Sequence, residues 1–289
     1  MSWHKRSLML GLGLALLSLQ AGFLSAQRAI TLKGSDTMVI LGQRWAEAYM
    51  KNNPGSRIQV TGGGSGTGIA ALINGTTDIA ESSRSMKDKE KESVKNKSGK
   101  EVAEIPVAVD GLAVYIHSSN PVKVLSIEQL KDIYIGKTTN WKQVGGNDAR
   151  IITYGRENNS GTYAYFKEHV LANADFHPSV QTLPGTAAVT NAVAKDPKAI
   201  GYGGIAYAKG IHHAQVKKDA ASPAVEPNME NVLSGAYPIS RYLYWYTAGE
   251  PTGEVKKLVD WVLSADGQKL VESVGYYPLP KKTGTGKKK

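Results

Sequence analysis

The sequence contains no cysteine. A chain without cysteine has no disulfide bond, no thiolate metal site and no cysteine to which a lipid anchor is attached. We therefore predict a free polypeptide that is neither cross-linked nor lipid-anchored.

Long hydrophobic segments are also scarce. Lys5 and Arg6 precede an apolar run from Leu8 to Leu19, and the small-residue segment Leu24-Ser25-Ala26 follows. The run is short for a membrane helix, which needs about 20 apolar residues, and the whole pattern is typical of a secretory signal peptide. We predict that residues 1–26 are removed during export and that the protein is periplasmic or secreted. An uncleaved membrane anchor is the alternative.

Acidic residues are fewer than basic ones, and the net charge is +10. Loss of Lys5 and Arg6 with the signal peptide leaves +8, and the five lysines of segment 281–289 account for five more, so the body carries +3. A mildly basic body is not typical of a nucleic-acid platform, so we predict no nucleic-acid partner. The basic tail is predicted to be disordered, as a solvated end or a weak contact to an acidic surface.

Catalytic and metal-binding patterns are missing as well. The glycine-rich segment Gly62–Gly68 lacks the Gly-Lys-Ser/Thr ending of a nucleotide P-loop, and Thr67 replaces the last glycine of a serine-hydrolase elbow. The histidines beyond the predicted signal peptide have no metal-ligand spacing: His117, His169, His177, His212 and His213. We predict no metal, no cofactor and no enzymatic activity. A secreted phosphatase or esterase with Ser65 or Ser160 as nucleophile stays an alternative, because triads assemble from distant segments.

Strand and helix patterns alternate along the chain, which predicts an α/β fold with helices on both sheet faces. The run from Ile105 to Ile116 is β-branched and uncharged except for Asp110, as expected of a buried strand. The aromatic stretch from Tyr237 to Tyr246 is a second strand candidate. With crossings near Gly111 and Tyr237, the chain divides into two α/β lobes with a cleft between them.

The predicted division assigns each part of the chain to a signal, a lobe or a tail. Residues 1–26 are the signal peptide, 27–111 and 238–280 form lobe 1, 112–237 form lobe 2, and 281–289 are the tail.

Three segments place hydroxyl and glycine residues before a predicted helix: Gly34–Thr37, Gly62–Gly68 and Arg156–Thr162. A helix N-terminus offers unpaired N–H groups and partial positive charge, so it suits an anion. Glycine allows close approach of the backbone, and serine or threonine adds a small donor. One such turn is an ordinary helix cap. Three of them, one led by an arginine, predict that several helix ends converge on one small oxyanion.

A fourth segment, Glu81–Arg84, follows a predicted strand, at the end of a sheet where open α/β folds bind ligands. The Arg156 segment is more specific, because a two-pronged guanidinium with Ser160 and Thr162 at a helix start forms half of an oxyanion site. The alternatives are a surface arginine at Arg84 and an ordinary capped helix after Arg156.

Taken together, these residues resemble the periplasmic phosphate-binding proteins of ABC-type phosphate importers, within the type II periplasmic-binding-protein superfamily. The resemblance extends from Gly34 to about Pro280. Its markers are Gly34-Ser35-Asp36-Thr37, Gly63-Gly64-Ser65-Gly66-Thr67-Gly68, Asp78-Ile79-Ala80 with Ser82-Ser83-Arg84, Ile105-Pro106-Val107-Ala108 with Asp110-Gly111, Arg156 with Ser160-Gly161-Thr162, and Tyr237-Pro238-Ile239-Ser240-Arg241.

The resemblance implies two α/β sandwich lobes, joined by two crossover strands, that close on inorganic phosphate. It implies a non-enzymatic monomer that delivers phosphate to an ABC-type permease in the inner membrane. The implied phosphate ligands are Ser35, Asp36, Thr37, Ser65, Ser83, Arg84, Arg156, Asn158, Ser160, Gly161 and Thr162. A surface adhesion protein that reuses the fold is a further alternative.

Two positions depart from the best-studied branch of this family, which has aspartates where this chain has Ser83 and Asn158. Those carboxylates accept a hydrogen bond from protonated phosphate. Asp36 is our candidate for that acceptor, and its alternative role is a helix cap.

Overall fold

The computed structural model describes residues 28–280, so the predicted signal peptide and basic tail lie outside the described residues. The strands are β1 (Ile30–Gly34), β2 (Ile58–Thr61), β3 (Ile79–Ser82), β4 (Val102–Ile116), β5 (Val124–Ser126), β6 (Ile152–Arg156), β7 (Gln181–Leu183), β8 (Ala199–Gly204), β9 (His212–Lys217), β10 (Ala224–Val225) and β11 (Ser240–Ala248). The helices are α1 (Val39–Asn52), α2 (Ser65–Ile73), α3 (Asp88–Ser98), α4 (Ile127–Tyr134), α5 (Gly161–His169), α6 (Gly185–Lys195), α7 (Met229–Leu233), α8 (Gly253–Leu263) and α9 (Ala265–Val274).

Eight strands follow the order β2-β1-β3-β11-β4-β8-β6-β7, and the long strand β4 links the two halves. The other three lie off this path, where β9 pairs with β4, β5 and β10. Its residues Val102–Gly111 pair with β11, whereas Leu112–Ile116 pair with β8. The chain crosses between the lobes a second time just before β11. This second crossing runs beside β4, because the Leu112 N–H donates to the Ile239 carbonyl at 2.9 Å. The structure confirms the predicted two-lobed α/β fold. The numerical lobe boundaries stay a prediction, and β4 changes partners at one of them.

The core of lobe 1 forms where α1, α8 and α9 pack on one face of the sheet. Leu41, Trp45 and Tyr49 recur every four residues in α1, so helical geometry places them on one buried face. The Trp45 ring meets the Trp245 ring of β11 edge-on at 5.3 Å, and its indole N–H donates to the Gly267 carbonyl.

The core of lobe 2 is built on aromatic rings from α4, α5 and β8. Phe166 stacks on Tyr202 with ring centroids 3.9 Å apart, and Tyr134 meets Phe166 edge-on at 4.9 Å. These contacts anchor α5, and they therefore hold its N-terminus at the edge of lobe 2 that faces lobe 1.

Strand β11 begins three residues later than the strand-like stretch that starts at Tyr237. Pro238 has no N–H to donate to a neighbouring strand, and it confines strand pairing to the residues after it. The charged helix α3 is largely solvated, with Val94 as its buried residue. Within residues 28–280, the helices are too short or too polar to cross a bilayer.

Candidate functional site

Three serines of lobe 1 bring their hydroxyls together where β1 and β3 end and α2 begins. Ser35 Oγ donates to Ser83 Oγ at 2.9 Å, and Ser65 Oγ lies 3.4 Å from Ser83 Oγ. The Ser83 N–H donates to Ser65 Oγ at 3.1 Å. All three residues are at most 1% exposed, so their hydroxyls are removed from bulk water.

The start of α5 in lobe 2 lies directly against this serine cluster. A side chain at Gly161 would overlap the Ser65 hydroxyl, and its Cβ would lie 2.8 Å from Ser83 Oγ. Ser160 caps the helix, because its Oγ accepts the N–H groups of Thr162 at 3.2 Å and of Tyr163 at 3.3 Å. The absence of a side chain at Gly161 is therefore what lets the helix end approach the serines.

A carboxylate and a guanidinium meet across the lobes beside this helix end. Arg156 Nη2 donates to Asp36 Oδ2 at 2.6 Å, and Arg156 Nη1 donates to Thr186 Oγ1 at 2.8 Å. The other Asp36 oxygen accepts the Gly63 N–H at 2.7 Å. Asp36 therefore does not cap α1, whose N-cap position is Met38.

Backbone contacts close the lobes on the far side of the glycine-rich loop. The Gly66 N–H donates to the Asn159 carbonyl at 2.9 Å, and the Asn159 amide donates to the Gly63 carbonyl at 2.9 Å. Gly64 has φ +90°, and a Cβ there would lie 2.7 Å from the Asn159 carbonyl oxygen. Only glycine satisfies both the backbone angle and the close approach.

The structure brings together most of the sequence-predicted ligands at this junction of the lobes: Ser35, Asp36, Thr37, Ser65, Ser83, Arg156, Ser160, Gly161 and Thr162. Asn158 is exposed at the rim. Arg84 is held by Glu90, which accepts from Nη1 at 2.8 Å and from Nη2 at 2.7 Å. Burial opposes ionisation of Glu90, but the hydrogen bonds from Arg84 and from the Lys87 N–H, together with the charges of these two residues, outweigh it and lower the pKa of that carboxyl. A ligand role for each of these residues stays a prediction.

Sequence reasoning assigned no site role to a buried ion pair, Asp110 with Arg241. Asp110 Oδ2 accepts from Arg241 Nε at 3.1 Å and from Nη2 at 2.9 Å, and both residues are at most 6% exposed. The Ile205 N–H donates to the other Asp110 oxygen at 3.0 Å. Asp110 is the one charge in an otherwise apolar run, and a charge in a buried strand indicates a buried partner.

Glu81 lies beneath the site, two residues before Ser83. Burial raises the pKa of its carboxyl to about 8, against the opposing effect of the hydrogen bond from the Trp245 indole. Its Oε2 is buried and has no hydrogen-bond partner among the described residues. This carboxyl therefore favours the neutral form at neutral pH.

The donor set at the junction suits an oxyanion better than a metal or a nucleophile. Among residues 28–280, no group of three or more His, Cys, Asp or Glu is placed to hold a metal ion. In the described part of the chain, neither Ser65 Oγ nor Ser160 Oγ is bonded to a histidine or a carboxylate that could act as a base. What converges is hydroxyl groups, helix N–H groups and a guanidinium, all of which donate hydrogen bonds.

Comparison with known proteins identifies the family. Residues 21–266 match the model described as PBP superfamily domain. The chain is 37% identical over 266 residues to the phosphate-binding protein PstS of Pseudomonas aeruginosa. The aligned region covers 86% of this chain and 82% of that protein. The chain belongs to this phosphate-binding protein family.

Two other members of the family are comparably similar. The PstS protein of Bacillus subtilis is 35% identical over 255 residues, which cover 88% of this chain and 82% of that protein. A Clostridium perfringens structure, described as a phosphate ABC transporter substrate-binding protein with bound phosphate, superposes with a TM-score of 0.79. It is 32% identical and covers 88% of this chain and 100% of the other.

Proposed function

We propose that this protein is an exported receptor that binds inorganic phosphate between its lobes and delivers it to an ABC-type permease in the inner membrane. The observation that carries the proposal is the burial of the Ser35, Ser65 and Ser83 hydroxyls against the N-terminus of α5 from the other lobe. The similarity to PstS proteins and to a phosphate-bound relative supports the same ligand.

The chemistry of the junction suits reversible capture of a dianion. A desolvated anion is stable only when its oxygens receive hydrogen bonds, and neutral hydroxyl and N–H donors supply these without a large excess of positive charge. Asp36 offsets the positive charge of Arg156. The pair therefore orients hydrogen-bond donors towards the anion but adds little net electrostatic attraction. Binding can then be specific while release to a permease stays possible.

The finer features of the proposal concern activity and partners. We propose a monomer without enzymatic activity and without a nucleic-acid partner. The named relatives are binding proteins, and a net charge of +3 on the body is not typical of a nucleic-acid platform. In the described part of the chain, no base lies at the serine hydroxyls, so the structure gives no support to the phosphatase alternative.

Export is proposed to proceed through cleavage near Ala26. The basic start, the apolar run from Leu8 to Leu19 and the small residues after it support a signal peptide. Intact mass spectrometry of exported protein should show a chain that begins close to residue 27. Exported material that retains Met1 would contradict this step.

A ligand panel tests the function and its enzymatic alternative together. Phosphate-stripped protein is heated with inorganic phosphate, with sulfate or with p-nitrophenyl phosphate. Phosphate at a hundred times its dissociation constant should stabilise the fold by about 2.7 kcal/mol and raise the melting temperature. The proposal fails if phosphate has no effect, and release of nitrophenol would favour a phosphatase.

A further inference from the structure

Asp110 and Arg241 are directly opposed residues of the two strands that pass between the lobes. They pair in the antiparallel register of β4 and β11, and β4 changes its partner strand immediately after Gly111. The Asp110 carboxylate also accepts the Ile205 N–H, which belongs to the residue after β8 in lobe 2. This ion pair therefore connects the crossing point to both lobes.

The guanidinium of Arg241 also holds one face of α5. Arg241 Nη2 donates to Thr162 Oγ1 at 3.0 Å, and its Cζ lies 5.3 Å from the centre of the Tyr165 ring. Thr162 and Tyr165 are three residues apart, so they lie on the same face of the helix. The Tyr165 hydroxyl donates to the carbonyl of Ser240, the residue before Arg241, at 2.7 Å. Arg241 thus fixes the first turn of α5, which carries Gly161 to the serine cluster.

The bond from Arg241 also sets the direction of the Thr162 hydroxyl. A guanidinium only donates, so Thr162 Oγ1 is the acceptor and its own hydrogen points elsewhere. Thr37 Oγ1 of lobe 1 lies 2.9 Å away, so the two hydroxyls meet across the cleft. A hydroxyl that accepts a bond from a cation becomes a stronger donor, because linked hydrogen bonds polarise one another.

We propose that Arg241 is a positioning residue of the phosphate site. It holds the Thr162 hydroxyl and the α5 N-terminus so that both present donors to the anion, while Asp110 neutralises its charge. The inference rests on the proposed function, since it names a residue that prepares the same site without touching the ligand.

Titration calorimetry with inorganic phosphate tests the role in wild type, Arg241→Lys, Thr162→Val and the double variant. A lysine keeps the charge beside Asp110 but lacks the fork that reaches Asp110 and Thr162 together. We expect each single variant to bind phosphate about tenfold more weakly or worse, since each loses a bond to a charged group. The double variant should lose little more affinity for phosphate than the single variant that binds less tightly, because both changes remove the same interaction between Arg241 and Thr162. Arg44→Lys, in an exposed pair with Glu47, should bind like wild type.

Melting temperatures without phosphate separate positioning from folding. A merely structural ion pair would lower the melting temperature of Arg241→Lys and leave phosphate affinity unchanged, which would overturn the inference. Thr162→Val leaves the ion pair intact, so wild-type affinity in that variant would overturn it even if Arg241→Lys were unstable. Multiplying losses in the double variant would also contradict it. Wild-type protein that binds no phosphate would instead refute the proposed function and this inference with it.

Discussion

Arg156 and Asp36 come from opposite lobes, and their side chains meet at 2.6 Å between Nη2 and Oδ2. The guanidinium is 1% exposed and the carboxylate 17% exposed, so the pair is largely shielded from solvent. The lobes are therefore joined by two groups that are also candidates for ligand binding. An anion that enters the cleft meets a guanidinium that is already oriented.

Replacement of Arg156 by alanine should nearly abolish phosphate binding. The change removes a buried cation and leaves the Asp36 carboxylate without its partner, which then repels the anion. We expect a loss of roughly 2–5 kcal/mol in binding free energy, measured by calorimetry. Arg44→Ala, at an exposed position, should change it by less than about 1 kcal/mol. Equal losses in the two variants would show diffuse electrostatics rather than a site.

Replacement of Gly161 by alanine should greatly weaken phosphate binding without harming the fold. The new Cβ would overlap the Ser65 hydroxyl, whereas alanine in the first turn of α5 is otherwise favourable. Gly66→Ala introduces a milder steric conflict between the lobes, because its Cβ would lie 3.2 Å from the Asn159 carbonyl oxygen. We expect wild-type melting temperatures without phosphate for both variants, a large affinity loss for Gly161→Ala and a smaller one for Gly66→Ala. Wild-type affinity of Gly161→Ala would show that the lobes need not approach at this point.

Replacement of Asp36 by asparagine should narrow the preference for phosphate over sulfate. Each carboxylate oxygen of Asp36 holds one donor and keeps a further lone pair, which can accept the proton that phosphate carries and sulfate lacks. A carboxylate therefore rewards phosphate and repels sulfate. Competition binding should show the affinity ratio fall by about tenfold or more, the equivalent of one such hydrogen bond. Asp175→Asn, at an exposed position, is the control. An unchanged ratio would assign selectivity to other groups and leave Asp36 as a partner of Arg156.

The free energy of unfolding should fall as pH rises through the range in which Glu81 is protonated in the folded chain but ionised in the unfolded chain. Burial raises the pKa of Glu81 to about 8 from an ordinary value of 4.5, so the unfolded chain releases this proton first. The group's contribution to the free energy of unfolding is complete below about pH 4.5 and is lost progressively up to about pH 8, by up to about 5 kcal/mol. Glu81→Gln cannot ionise at this position, so its melting temperature relative to that of wild type should rise from pH 5 to pH 8. Glu92→Gln, at an exposed position, should show no such rise. A constant difference between Glu81→Gln and wild type would indicate that Glu81 is already ionised in the fold.

Local features of the site could be predicted from the sequence because their signals are short. Ser160 lies directly before α5 and caps it, and Gly161 follows at the closest point of approach. The α/β alternation and the passage of a long apolar strand between the lobes depend on patterns within about fifteen residues. The aromatic pattern predicts a strand from Tyr237, but β11 begins at Ser240, because Pro238 has no N–H to donate to a neighbouring strand.

Contacts between distant segments could not be predicted in the same way. Arg156 and Asp36 are 120 residues apart in the chain, and Arg241 and Thr162 are 79 apart. The local sequence around each of these residues does not indicate which distant residue it contacts in the folded chain. For Asp110 the sequence does carry a signal, because an isolated charge in a buried strand indicates a nearby cation, although it does not indicate that Arg241 supplies it.

Titration calorimetry of phosphate-stripped wild-type protein with inorganic phosphate, followed by the same titration with sulfate, tests whether the junction of the lobes is a phosphate site. We expect saturable binding of one phosphate per chain, and weaker binding of sulfate. A titration without saturable binding of phosphate would contradict this expectation.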